Sequence, residues 1–162
     1  MIVLGIDSAS TAGWAVVDGE RLLEYGTVDA RDPLRVHQLV GSIVTRLRPA
    51  RAVIEQAYVG RGEHANPKTT MLLSRLIGRW EMALALREVP SELIEAQSWQ
   101  SEILAGLLPS RPKRDDRKAA AARWAGLTFK VNVAGDAADA IGIAAWASRR
   151  ATMAARLRGR AA

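Results

Sequence analysis

The chain has no cysteine and only two histidines among 162 residues. Disulfides and thiolate zinc sites are therefore excluded, and any metal must be held by oxygen or histidine, which favours hard cations. No apolar run approaches the roughly 20 residues needed to cross a bilayer. The opening MIVLGID also lacks the basic start and long apolar stretch of a signal peptide. A cytoplasmic protein with no membrane partner is the expectation. Pro-, Gly- or Ser-rich linkers and solenoid repeats are missing too, so one domain is expected over residues 1–150. Residues 151–162 read as a basic end of the last helix or a tail.

What is present is a chain 49% hydrophobic, enough for one core, with 23 Lys+Arg against 17 Asp+Glu and a net charge of +6. An excess of that size suits a polyanionic partner, although an arginine-rich composition gives the same sum. MIVLGID reads as a strand buried on both faces, and TAGWAVVD and RLLEYGTVDA as two more, joined by tight turns into an antiparallel meander. A helix follows over 33–48, with Val36, Leu39, Val40, Ile43, Val44 and Leu47 on one face and Pro49 ending it. RAVIEQ, reached through that helix, reads as a strand joining in parallel.

After the loop AYVGRGEHAN, Pro67 opens a long helix expected to reach about Glu88. Leu72, Leu73, Leu76, Ile77, Trp80, Ala83 and Leu84 form its core stripe. Met71, Met82 and Leu86 extend the apolar surface beside Gly78, with Arg75 and Arg79 alongside, which is more than one sheet face covers. Self-association there is the expectation; a helix sandwiched between two neighbours is the plainer account. SELIEA gives a fifth strand, PSRPKRDDRK reads as irregular and basic, KAAAARWAGL as helical, and a last helix runs from Asp136 to about Leu157. The fold class is α/β: a mixed five-stranded sheet, a three-strand antiparallel meander plus parallel strands, with helices on both faces.

Four acids stand out. Asp7 ends the first strand and Glu55 the fourth, and those strands are free to be neighbours. Asp136 and Asp139, spaced i,i+3, share one face at the head of the last helix. Each has an ordinary structural explanation: Asp7 caps the turn into SAS, Glu55 pairs with Arg61, and Asp136 and Asp139 are helix-start acids. Together at one sheet edge they make a cluster that like-charge repulsion and burial disfavour. Divalent cations are the natural compensation: Mg²⁺ takes oxygen ligands, and two ions about 4 Å apart stabilise the attacking and leaving oxygens of phosphoryl transfer.

In order along the chain, LGIDSASTAGWAVV, AVIEQAYVG and GDAADAIGIAAWA resemble the first strand and turn, the glutamate strand and the closing helix of RuvC-type Holliday-junction resolvases. These belong to the ribonuclease H-like superfamily. The resemblance runs to about residue 150 and implies a ribonuclease H-like fold. It further implies a metal-dependent endonuclease making paired symmetric nicks in four-way DNA junctions, leaving 5′-phosphate and 3′-hydroxyl ends. Asp7, Glu55, Asp136 and Asp139 match the metal-binding catalytic tetrad, with two Mg²⁺ per site and Mn²⁺ able to substitute. Lys118 matches a catalytic lysine that stabilises developing phosphate charge, with Lys113, Arg114 and Arg117 as substitutes. Tyr58 matches an aromatic that stacks at the opened junction centre, worth roughly 1–3 kcal/mol per base; an ordinary loop anchor is the other account.

Arg61, Lys68, Arg111, Lys113, Arg114, Arg117 and Lys118 are the basic residues expected to contact phosphates by shape rather than sequence, or else to line solvated loops. His64 is a weaker candidate for a ligand or base. A homodimer is implied, its interface placed at Met71, Arg75, Gly78, Met82 and Leu86, and a bacterial or phage origin is expected. Two departures are visible: the turn is DSA, without the usual proline and glycine, and QSWQSE carries Ser101 where a basic residue is expected.

Three other readings compete. A nuclease of the same fold acting on flaps, other branches or RNA–DNA hybrids fits the same acids, and monomeric behaviour favours it. GIDSAST also resembles the opening strand of sugar kinases and actin-like ATPases, but those need two lobes, so no nucleotide cofactor is expected. A non-catalytic branched-DNA binder has no use for all four acids.

Overall fold

The structure, a computed structural model, describes residues 1–56 and 66–160. Tyr58, Arg61 and His64 lie outside the described residues. Five strands, β1 (Ile2–Asp7), β2 (Thr11–Asp18), β3 (Arg21–Asp29), β4 (Arg51–Gln56) and β5 (Ser91–Glu95), form one sheet of order β3-β2-β1-β4-β5. The meander pairs antiparallel, whereas β4 joins β1, and β5 joins β4, in parallel, as the intervening helices require.

Helices α1 (Pro33–Leu47) and α2 (Pro67–Ala85) cover one sheet face, and α3 (Ala96–Ile103), α4 (Arg114–Phe129) and α5 (Asp136–Arg160) the other. Strand residues divide between the two cores with period two. Leu4, Ile6, Ala52 and Ile54 face α1 and α2; Val3 and Val53 face α3–α5. Asp7 and Glu55 keep the parity of the second set and so point toward α5.

Local chemistry sets the helix ends. Asp32 caps α1 by accepting from the Leu34 and Arg35 amides, and Arg48, left-handed at φ 50°, closes it before Pro49. α2 stops at Ala85, short of the expected Glu88. Glu88 takes φ 56°, the Glu88 amide bonds the Ala85 carbonyl, the Val89 amide reaches back to Leu84, and Val89 is buried. That is a Schellman closure built without glycine. Leu72 is exposed rather than part of the core stripe, because burial on α2 begins only at Leu76.

Two segments depart further from the sequence reading. PSRPKRDDRK is not irregular throughout: α4 starts at Arg114, with the Lys113 amide donating to Asp116 Oδ2 at 2.8 Å and Asp115 and Asp116 acidic in its first turn. α3 is an additional short helix that buries Trp99 and Ile103. α5 runs past Leu157 to Arg160, with residues 149–150 and 153–159 exposed. Among the described residues, no helix is long and apolar enough to cross a membrane.

Candidate active site

β1 and β4 run parallel with Asp7 in register with Glu55, so the strand ends deliver two carboxylates side by side. On its other flank Asp7 is in register with Gly13 of β2. That glycine sets the position of α5: a Cβ there would lie 1.8 Å from the Asp136 carbonyl oxygen. At Gly5 a Cβ would fall 2.5 Å from the Ala144 amide nitrogen. Two glycines thus let the α5 backbone rest directly on β1 and β2. Gly135, at φ 62°, turns the chain into the helix, whose first acids reach the strand ends.

Oxygens of Asp7, Asp136 and Asp139 consequently lie within 4.8 Å of one another. Glu55 stands one strand away; its Oε2 accepts a 2.5 Å hydrogen bond from Trp99 Nε1. Lys118, in the second turn of α4, donates from Nζ to Asp136 Oδ1 at 2.5 Å and to Asp139 Oδ2 at 3.3 Å. The DSA turn is secured by Ser8, which is buried and donates from Oγ to the Glu55 carbonyl at 2.8 Å. That bond ties the β1 turn to the end of β4.

The electrostatics follow from this crowding. Burial pushes Asp7 well above the usual carboxylate range, and Glu55, Asp139 and Asp136 add to the shift against the pull of Lys118. Glu55 is raised by burial and by Asp139, opposed chiefly by the Trp99 hydrogen bond. Asp139 is raised by burial, with Lys118 and Arg114 opposing and Asp136 adding. Burial pulls Lys118 down, yet its bond to Asp136 and the charges of Asp139, Asp136 and Asp7 leave it raised overall. Clustered carboxylates that resist ionisation are a donor set suited to hard divalent cations, whose charge reverses the penalty.

The structure therefore brings Asp7, Asp136, Asp139 and Lys118 together, with Glu55 beside them. Arg114 is near enough to act on Asp139, while Lys68, Arg111, Lys113 and Arg117 are exposed. Met71, Arg75, Gly78 and Met82 on α2, and Leu86 just after it, are all exposed, and Leu72 adds to this surface. Pro33, His37, Arg75, Gly78, Arg79, Met82 and Ala83 line a groove between α1 and α2. Sequence reasoning missed Trp99, Ser8, Gly13 and Gly5. A signal existed for the glycines alone, since both keep the parity of the strand faces that meet α5.

No family model matches the chain. The crossover junction endodeoxyribonuclease RuvC of Nitrobacter hamburgensis is 30% identical, covering 74% of this chain and 82% of that protein. Among solved structures, Thermus thermophilus RuvC superposes with TM-score 0.70 at 23% identity, covering 95% of this chain and 97% of its own. RuvC from T. thermophilus in complex with Holliday junction substrate gives 0.72 at 22%, covering 94% and 96%. Yeast mitochondrial Holliday junction resolvase Ydc2 gives 0.53 at 17%, covering 91% and 77%. The structural likenesses establish the fold, and with the sequence match over most of both chains they establish that this chain belongs to the RuvC family of crossover junction endodeoxyribonucleases.

Proposed function

We propose that the chain resolves four-way DNA junctions by paired, symmetric, metal-dependent nicks that leave 5′-phosphate and 3′-hydroxyl ends. The observation that carries this reading is the convergence of Asp7 from β1 with Asp136 and Asp139 from α5 inside 4.8 Å. Asp7, Glu55, Asp136 and Asp139 would hold two Mg²⁺ ions, with Mn²⁺ able to substitute. Divalent cations held there supply Lewis-acid stabilisation of the attacking and leaving oxygens of the phosphodiester. Lys118, hydrogen-bonded to Asp136 and Asp139, holds a positive charge at the rim where charge develops on the phosphate.

Lys68, Arg111, Lys113, Arg114 and Arg117, with Arg61, grip backbone phosphates without reading bases, so binding follows branch shape and weakens with salt. Tyr58 stacks on a base at the junction centre, and the basic end beyond residue 150 adds nonspecific affinity. A two-fold symmetric junction calls for two active sites, and the Met71, Arg75, Gly78, Met82 and Leu86 face of α2 is the surface on which a homodimer would form. Met82→Glu would leave a monomer by light scattering if that face is the interface. We place the protein in the cytoplasm.

The test is cleavage of a labelled immobile junction beside linear duplex, flap and RNA–DNA hybrid, in Mg²⁺ or Mn²⁺, with Asp7→Asn as control. Symmetric junction nicks absent from the variant are expected. Equal cutting of flaps or hybrids would replace the junction specificity with a broader ribonuclease H-like one; no cutting of any substrate would refute the nuclease reading.

A further inference from the structure

Trp99 is fully buried between Glu55, which it bonds, and α5, the helix that carries Asp136 and Asp139. Its Nε1 lies 2.5 Å from Glu55 Oε2, and it is the side-chain donor to Glu55 among the described residues. Its ring occupies a notch in α5 made by Gly142, where a Cβ would come within 2.5 Å of the Trp99 ring. Gly142 lies three residues after Asp139, so the indole bridges the strand carrying Glu55 and the helix carrying Asp136 and Asp139. The short run from β5, which pairs with β4 with Ile94 in register with Glu55, into α3 brings Trp99 to this place.

Filling a core does not by itself demand such an arrangement. Trp80 and Trp146 bury their indole nitrogens with no partner among the described residues. Trp99 instead aims its N–H at a carboxylate. An N–H donor prefers the ionised acid and fixes which oxygen is turned away and left free to act as a ligand.

We propose that Trp99 is a positioning residue for the metal centre: its indole N–H, anchored by the Gly142 notch, holds the Glu55 carboxylate in the orientation that completes the set with Asp7, Asp136 and Asp139. The inference rests on the metal-centre reading above. Groups of this kind behind a ligand are worth about 10–100-fold in metal affinity or activity.

Trp99→Phe keeps an apolar ring on α3 while removing the N–H donor and part of the indole's buried volume, and the lost volume reads out in stability rather than in metal affinity. Calorimetric titration of the whole chain with Mn²⁺ is expected to give a dissociation constant about 10–100-fold weaker in the variant. Junction cleavage should fall at limiting metal and recover at saturating metal. A residue that only fills space would change the melting temperature and leave the Mn²⁺ constant alone, so a constant within about twofold of wild type overturns the proposal. A wild-type chain that takes up no Mn²⁺ overturns the metal-centre reading instead.

Should Trp99→Phe not fold, the wild-type chain still decides the matter through its indole ¹H–¹⁵N resonances. One of the five tryptophan signals should move on Mg²⁺ addition, and that same signal should move in Glu55→Gln. If no indole signal responds to Mg²⁺, or a different one responds to the Glu55 change, Trp99 does not position Glu55.

Discussion

Asp7→Asn is expected to stabilise the metal-stripped chain while abolishing cleavage. Asp7 is pushed above its ordinary range by burial first, then by Glu55, Asp139 and Asp136. The folded chain therefore binds its proton more tightly than the unfolded chain does. That contribution favours folding below the ordinary carboxylate range and is lost as pH rises through the raised value. Glu55 and Asp139 carry the same sign. Once pH exceeds their raised values, Asp7, Glu55 and Asp139 are ionised together, with Lys118 as the nearest opposing charge.

One like-charge pair at the 4.8 Å limit of the cluster costs about 3.5 kcal/mol at an effective dielectric near 20. Lys118 offsets part of this, which leaves about 1–3 kcal/mol to be gained by an isosteric neutral amide. For a chain of this length that is about 3–10 °C in melting temperature. The assay is thermal unfolding of both proteins in chelator at pH 8 and at pH 4.5, then in excess Mg²⁺ at pH 8. The variant should melt higher in chelator at pH 8, with a smaller advantage at pH 4.5. Mg²⁺ should raise the wild type more than the variant, because a ligand stabilises only the state that binds it. An Asp7→Asn chain that melts at or below wild type in chelator at pH 8 would refute the argument.

Gly13→Ala places a Cβ 1.8 Å from the Asp136 carbonyl oxygen, so it should cost about 2–3 kcal/mol by urea unfolding and displace both α5 acids; an unchanged midpoint with full cleavage would show that α5 need not touch β2. Lys118→Ala removes the cation bonded to Asp136 and Asp139 and should lower junction cleavage about 10²–10³-fold at saturating DNA. It should also lower the melting temperature in chelator at neutral pH, and a variant with wild-type turnover would remove Lys118 from the chemistry. Lys113→Ala, at an exposed position before α4, should weaken junction binding and flatten its log–log salt dependence by about one unit; an unaltered slope would place Lys113 off the DNA path.

The readable parts of this sequence were those carried by local pattern. Short continuous apolar runs mark β1 and β4 as strands buried on both faces, the helix between them gives their parallel direction, and their register then sets Asp7 beside Glu55. The i,i+3 spacing of Asp136 and Asp139 likewise survives any tertiary context. α3 escaped because eight residues burying only Trp99 and Ile103 leave too little periodicity to read. The start of α4 was masked by charge, since RPKRDDRK looks like a loop until Asp115 and Asp116 are seen as first-turn acids. Leu72 fits the apolar stripe of α2 by angle but is exposed one turn before full burial begins at Leu76, while its neighbour Leu73 packs partly against the core. Ser8, Trp99 and Gly13 act through partners 47, 44 and over a hundred residues away in the chain. For Ser8 and Trp99 no local signal encodes a contact of that range; for Gly13 strand parity marks the face but not the partner.

The central claim is that these acids form one divalent-metal centre, and Mn²⁺ soaked into crystals of the wild-type chain tests it most directly by anomalous diffraction. Manganese peaks within coordination distance of Asp7 and of the α5 acids Asp136 and Asp139, lost in Asp7→Asn crystals, are predicted. Crystals that take up manganese elsewhere, or nowhere, while Asp7, Asp136 and Asp139 keep their places would contradict it.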